Sequence, residues 1–267
     1  MLYLLLGLGA LVSLVPFAWM VSTSLQSRAE LLSGRIVWIP KPPLWSNYAD
    51  AVSYIPFAGY LANTAFVTVV SVAGALGAAT LVAYGFARLR APGKDFLFSV
   101  LLGSMMLPGQ VTMIPVFILF RRLGWYNSFK ALTLPSFLGG GAFNIFLLRQ
   151  FFMTIPNELS EAAKIDGCSD LGVLTRMILP LSKPALSAVA VFLFVANWTD
   201  FMAPLIYLSD QSRYTLAVGL RLFQSTHSTE FSLLMAATFL FTLPIIIIFF
   251  LAQNYFVEGV TLTGING

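Results

Sequence analysis

The sequence is poor in charge and in the residues that hold metals or cross-links. Of its 267 residues only 10% are Asp, Glu, Lys or Arg, whereas a soluble domain carries about 25%. A single cysteine, Cys168, excludes an internal disulfide and a cysteine metal cluster. A single histidine, His227, excludes a two-histidine site within the chain. The phosphate-cradling pattern G-x-x-x-x-G-K-[ST] is missing. The one Gly-Lys pair, Gly93-Lys94, is followed by Asp95 and has Arg88 where the first glycine would stand. H-E-x-x-H and G-x-S-x-G are also absent, which leaves a metal or serine hydrolase without its catalytic set. The net charge is +4 and the 15 basic residues are scattered, so no nucleic-acid surface is expected.

What the chain has instead is apolar length. It is 58% hydrophobic, with a mean hydropathy of +0.85. That is too much apolar surface for one core in water, and an all-α integral membrane protein is expected. Six runs of roughly 20 residues carry few charges: about Leu2 to Val21, Leu61 to Ala87, Phe96 to Phe120, Ala131 to Phe152, Ala185 to Leu208 and Leu233 to Tyr255. The first lacks the basic front and small-residue cleavage site of a signal peptide and is expected to be a retained span.

Several spans have internal punctuation. Ser71, Ala75 and Ala79 recur at spacing four, as do Gly74 and Ala78, a pattern that lets helix backbones approach closely. The third span is broken by "LPGQVTMIP" and the fourth by Pro135 and the glycines 139–141. Such breaks survive at membrane depth only where protein or a water-filled cavity covers the freed backbone; a gate and a simple kink both fit. With both termini on one side, seven basic residues face eight across the membrane, so charge does not orient the chain.

One long polar insert, residues 153–184, stands out in the second half. Pro156 suits a first helical turn. Glu158 and Glu161 lie near the positive end of that helix dipole. Gly167 is placed to end the helix in the left-handed conformation. Ser169 can cap a second helix, which Pro180 would stop or kink. Two short helices with a corner at Gly167 are expected. They would serve either as a unit docking into a partner's groove or as an interfacial elbow.

The stretch "EAAKIDGCSDLGVLTRMILP" resembles the signature loop of binding-protein-dependent ABC importer permeases, which reads Glu-Ala-Ala, three residues, Gly, nine residues, Ile, one residue, Leu-Pro. Glu161, Ala162, Ala163, Gly167, Leu179 and Pro180 match in register, and Met177 replaces the usual isoleucine. "NWTDFMAPL" at 197–205 and the closing "YFVEGVTLTGING" are similar to the carbohydrate branch, of the maltose-permease type. The resemblance implies a type I importer permease fold of six transmembrane helices. Residues 1–60 would form the first helix and a long extracytoplasmic loop, 61–255 the core, and 256–267 a cytoplasmic tail. It also implies that the insert, Asp166 included, is a coupling helix docked on a cytoplasmic ATPase. A second permease, two ATPases and an extracytoplasmic sugar-binding protein would be partners, in a prokaryotic cell membrane. ATP and Mg would bind the ATPases and no cofactor this chain.

Asp200 is the one acid well inside an expected span, and an intramembrane ionisable group marks a pathway by default. Asn197 lies three residues before it on the same helical face, Trp198 offers an aromatic plate of the kind sugars stack upon, and Asn63 could contribute from the second span. A structural hydrogen bond near the outer interface is the bland alternative for Asp200. A secondary transporter or channel acting alone is the rival function.

Overall fold

The chain is described here by a computed structural model, which covers residues 2–224 and 230–263, with side chains described to Gln253. His227 and residues 264–267 of the expected tail lie outside the described residues. The principal helices are α1 (Leu2–Ser24), α2 (Phe57–Arg88), α3 (Lys94–Ser104), α4 (Gly109–Arg122), α5 (Ala142–Thr154), α6 (Asn157–Ile165), α7 (Asp170–Leu181), α8 (Lys183–Trp198), α9 (Met202–Tyr207) and α10 (Phe231–Thr263). No strand occurs among the described residues.

Four stretches are long and apolar enough to cross a membrane without a sharp bend: Leu2–Ser24, Phe57–Arg88, Lys130–Thr154 and Phe231–Gln253. Two further candidates are bent pairs, α3 with α4 at 97° and α7 with α8 at 82°. Counting each pair as one span gives the expected six. The last helix is continuous to Thr263, beyond the expected span end at Tyr255.

The fifth span departs from expectation. A continuous helix from Ala185 to Leu208 is replaced by α8, a break over residues 199–201, and α9. Pro204 has no N–H to give the carbonyl of Asp200, and its ring crowds that carbonyl, so the helix stops ahead of it. The Asp200 carboxylate instead accepts from the Ala203 N–H at 3.2 Å and starts the next helix.

The chain forms two compact units, residues 1–64 with 214–246, and residues 65–213 with 247–267. The first is tied together by buried polar groups. The Gln26 amide donates to the Val37 carbonyl at 2.7 Å, and Asn47 donates to the carbonyls of Ser24 and Gln26 at 2.8 and 3.1 Å. The Leu216 N–H donates to Thr64 Oγ1 at 2.8 Å.

In the second unit the small residues of α2 do what their spacing implies. Ala79 and Ala83 are fully buried. The Ser71 hydroxyl donates to the Leu132 carbonyl at 3.2 Å. Gly140, at φ +70°, lies so close that a Cβ there would meet the Ala75 oxygen at 2.4 Å and the Ala79 Cβ at 2.6 Å. The glycine break is therefore sealed by protein. Around it, Ile145, Leu148 and Phe152 of α5 pack with Val173, Leu174 and Ile178 of α7 and Val189 of α8 in one core.

Gly140→Ala is expected to destabilise this unit by about 3 kcal/mol or more, through positive φ and overpacking together. Gly139→Ala should cost much less, because nothing lies within 4 Å of an added Cβ there. Comparing melting temperature and monodisperse yield of the two variants checks this; equal behaviour would contradict the sealed break.

Candidate functional site

The polar insert is built by local chemistry that its sequence carries. Pro156 occupies the N-cap of α6, one residue earlier than a first-turn position, and Glu158 lies in the first turn. At the other end Gly167 adopts φ +85°. The Cys168 N–H reaches back to the Ala163 carbonyl at 2.9 Å and the Gly167 N–H to the Lys164 carbonyl at 3.0 Å. These two bonds form a Schellman corner. Ser169 then caps α7, its hydroxyl accepting from the Gly172 N–H at 3.2 Å. A bridge from Lys164 Nζ to Asp170 Oδ1 at 2.6 Å ties the helices across the corner, and this hydrogen bond raises the Lys164 pKa.

The corner is anchored from beneath. Ala163 is buried against Phe152, Ile155 and Val173, while Glu161, Ala162 and Asp166 are exposed. The paired alanines thus differ in role, Ala163 buried in the core and Ala162 exposed to water. Leu159 and Ile165 are exposed too, Ile165 by 87%, so α6 presents an apolar strip made of Leu159, Ala162 and Ile165. Beyond the corner, Leu174–Ile178 form a π-helical turn directly before Pro180. That wider turn precedes the point where proline removes a bond from the ladder. Leu179 is half-buried and Pro180 exposed.

Two anchoring residues were not evident from the sequence. The Arg88 guanidinium donates to the Phe152 carbonyl at 2.6 Å and also to the Ile155 carbonyl and Asn157 Oδ1. It thereby joins the end of α2 to the end of α5 and the start of α6. The Tyr84 hydroxyl donates to the Asp170 carbonyl at 3.0 Å. The available signal was the position of Arg88 as the sole cation in the 32-residue helix α2, in its last turn. A cleft of about 720 Å³ lies beside the clamp, with Arg88, Arg90 and Lys94 on one segment and Asn157, Glu161 and Lys164 on the other.

The four pathway candidates have different surroundings. Asn63 belongs to the first unit, where its amide donates to the Tyr214 carbonyl at 3.0 Å. Asn197 donates to the Leu193 carbonyl of its own helix at 2.7 Å. Trp198 is buried and stacks on Phe194 at 5.2 Å. Asp200 lines a cleft of about 340 Å³, together with Gln110, Thr112 and Met113 of α4 and Tyr207 of α9. Two helix breaks meet there, the one before Gly109 and the one at Asp200. Gln110 and Thr112 are uncharged polar residues inside an expected span, so charge alone does not mark them.

Residues 75–262 match the family described as binding-protein-dependent transport system inner membrane component. The chain is 30% identical to the polygalacturonan/rhamnogalacturonan transport system permease YtcP of Bacillus subtilis, the match covering 100% of this chain and 97% of that protein. It is also 30% identical to the lactose transport system permease LacG of Rhizobium radiobacter, over 96% and 93% of the two chains. A crystal structure of a bacterial ABC transporter involved in import of the acidic polysaccharide alginate superposes with a TM-score of 0.84 at 27% identity, over 95% of this chain and 94% of that one.

Gly167→Ala is expected to weaken the corner by about 1–2 kcal/mol through φ alone, since nothing lies within 4 Å of the added Cβ. Gly167→Asn should cost less, because asparagine tolerates the left-handed region. Limited proteolysis of the insert is the measurement, and cleavage equal to wild type in the alanine variant would count against the strained corner.

Proposed function

The chain belongs to the family of binding-protein-dependent transport system inner membrane components, and on that premise we propose that it is one permease subunit of an ATP-driven carbohydrate importer. As an ABC transporter permease it is a transport subunit and not an enzyme. The proposed assembly pairs it with a second permease, two cytoplasmic ATPase subunits and an extracytoplasmic sugar-binding protein, in a prokaryotic cell membrane. ATP and its magnesium ion belong to the ATPases. The cargo reading draws on relatives named for polygalacturonan, rhamnogalacturonan and lactose transport; the particular sugar is left open.

One observation carries the coupling role: α6 is a short helix held rigidly at both ends while its outer strip is bare. The Schellman corner fixes one end and Arg88 the other. Leu159, Ala162 and Ile165 supply a low-relief apolar strip, and Glu161 and Asp166 supply charge around it. Such a helix fits a groove on a soluble partner. Closure of two ATPases would push on it, and the held corner would pass the push into α7 and α8 instead of dissipating it. Glu161, Ala162 and Asp166 act as contacts in this scheme. Ala163, Gly167, Leu179 and Pro180 position them.

Asp200 is the proposed pathway residue with the best geometry. Its carboxylate is oriented by the Ala203 N–H and shares its cleft with the amide of Gln110 and the hydroxyl of Thr112. A few polar groups in a mainly apolar cleft suit hydroxyl-bearing cargo. Asn63, Asn197 and Trp198 remain proposed contributors that would need rearrangement during transport.

Glu161→Lys is expected to lower ATPase copurification several-fold while leaving insertion intact. Full retention of the ATPases would remove Glu161 from the docking contacts. Asp200→Asn keeps an acceptor for the Ala203 N–H, and Asp200→Ala loses it at about 1 kcal/mol. Both should impair sugar uptake without releasing the ATPases, and normal uptake by both would refute the pathway role. Uptake by the purified chain alone, driven by an ion gradient and indifferent to ATP, would favour a secondary transporter.

A further inference from the structure

The cleft beside Arg88 has a charge imbalance that docking of α6 does not use. Four cations line it, Arg88, Arg90, Lys94 and Lys164, against the carboxylates of Glu161 and Asp170. Asp170 is taken by Lys164. Arg88 donates only to neutral acceptors, two backbone carbonyls and an amide oxygen. Lys94 donates to the Leu89 carbonyl at 3.1 Å. Bonds of this kind orient a cation without cancelling its charge. Among the described residues none of Arg88, Arg90 and Lys94 has a carboxylate at ion-pair distance.

The position of the cleft narrows the ligand. It opens where the apolar run of α2 ends, and Lys94 on its rim begins α3. That helix exposes Phe96, Leu97 and Val100, by 71%, 57% and 55%. Cations at the head of an exposed apolar helix call for a ligand that is anionic at one end and apolar at the other. Basic pockets at the ends of membrane helices hold phosphate headgroups in this way. A volume of about 720 Å³ accommodates such a group.

We propose that this cleft binds the phosphate of an anionic phospholipid, with Arg90 and Lys94 as its charged contacts and the acyl chains running along Phe96, Leu97 and Val100. Arg88 keeps its structural bonds and contributes field only. This site borders the docking surface at Glu161, does not include the apolar strip of Leu159, Ala162 and Ile165, and does not depend on the identity of the cargo.

The test uses the full chain in phosphatidylcholine nanodiscs doped with phosphatidylglycerol, and reads bound phosphatidylglycerol by native mass spectrometry. Wild type should enrich the anionic lipid. Replacing Arg90→Gln and Lys94→Gln together should weaken binding roughly twenty-fivefold, at about fivefold per cation. The charge-keeping pair Arg90→Lys and Lys94→Arg should bind as wild type, which separates lost charge from lost folding. Unchanged enrichment in the double glutamine variant overturns the proposal. Displacement of the lipid by millimolar inorganic phosphate overturns the lipid as the source of the phosphate. Loss of enrichment in wild type once ATPase subunits are bound overturns it in favour of an acidic protein contact.

Discussion

A backbone N–H or carbonyl left unpaired in hydrocarbon costs several kcal/mol, and the architecture of this chain is arranged around that penalty wherever a helix breaks. Among the described residues, three breaks inside the expected apolar runs are each closed differently. Ahead of Pro108, residues 105–107 tighten into short-range bonds, such as the Met106 N–H to the Gly103 carbonyl at 3.1 Å. At the glycines, the backbone of Gly140 is pressed onto Ala75 and Ala79, and its carbonyl accepts from the Asn144 amide at 2.7 Å. At the third, the Asp200 side chain takes an N–H that the interrupted ladder would have left over. The glycine break is thus a packed joint, and the first and third breaks open on a shared cleft.

Local chemistry explains why the insert was so legible. Pro156, Gly167 and Ser169 act within a few residues of themselves, so their order alone specifies a helix, a left-handed corner and a second cap. The resemblance of Glu161, Ala162, Ala163, Gly167, Leu179 and Pro180 to a family pattern is what suggests the proposed coupling role for that shape, and the family itself is established by the match over residues 75–262. The apolar segments were readable from hydropathy too, four of them unbent and up to six with each bent pair counted as one span. Bends of 97° and 82° were not, because hydropathy is blind to direction.

The remaining differences have a common cause: a side chain's partner is set by tertiary geometry, not by its face on an ideal helix. Asn197 and Asp200 share a face by spacing, yet the helix ends between them and Asn197 turns back to its own Leu193 carbonyl. Trp198 looked available to a sugar and is covered by stacking on Phe194. Arg88 entered the charge count as an ordinary loop cation, whereas its planar fork of donors is what three separate acceptors require. Lysine at this position would bring a point charge in place of that fork.

The connectivity gives the proposed transport cycle a mechanical form. From the corner at Gly167 the chain runs through α7, turns 82° at Ser182 and continues as α8 for 16 residues, roughly 24 Å of helix, to Asp200. Val173, Leu174 and Ile178 fix α7 to the core that also holds Val189 of α8. A displacement of α6 therefore cannot be absorbed at the corner, which is bonded, nor within the core, which is close-packed. It reaches the bend of 82° at Ser182, where the regular ladder is interrupted. In the proposed cycle coupling is reciprocal: a cargo that biased the break at Asp200 would bias α6 by the same free energy, with α8 as the lever between them.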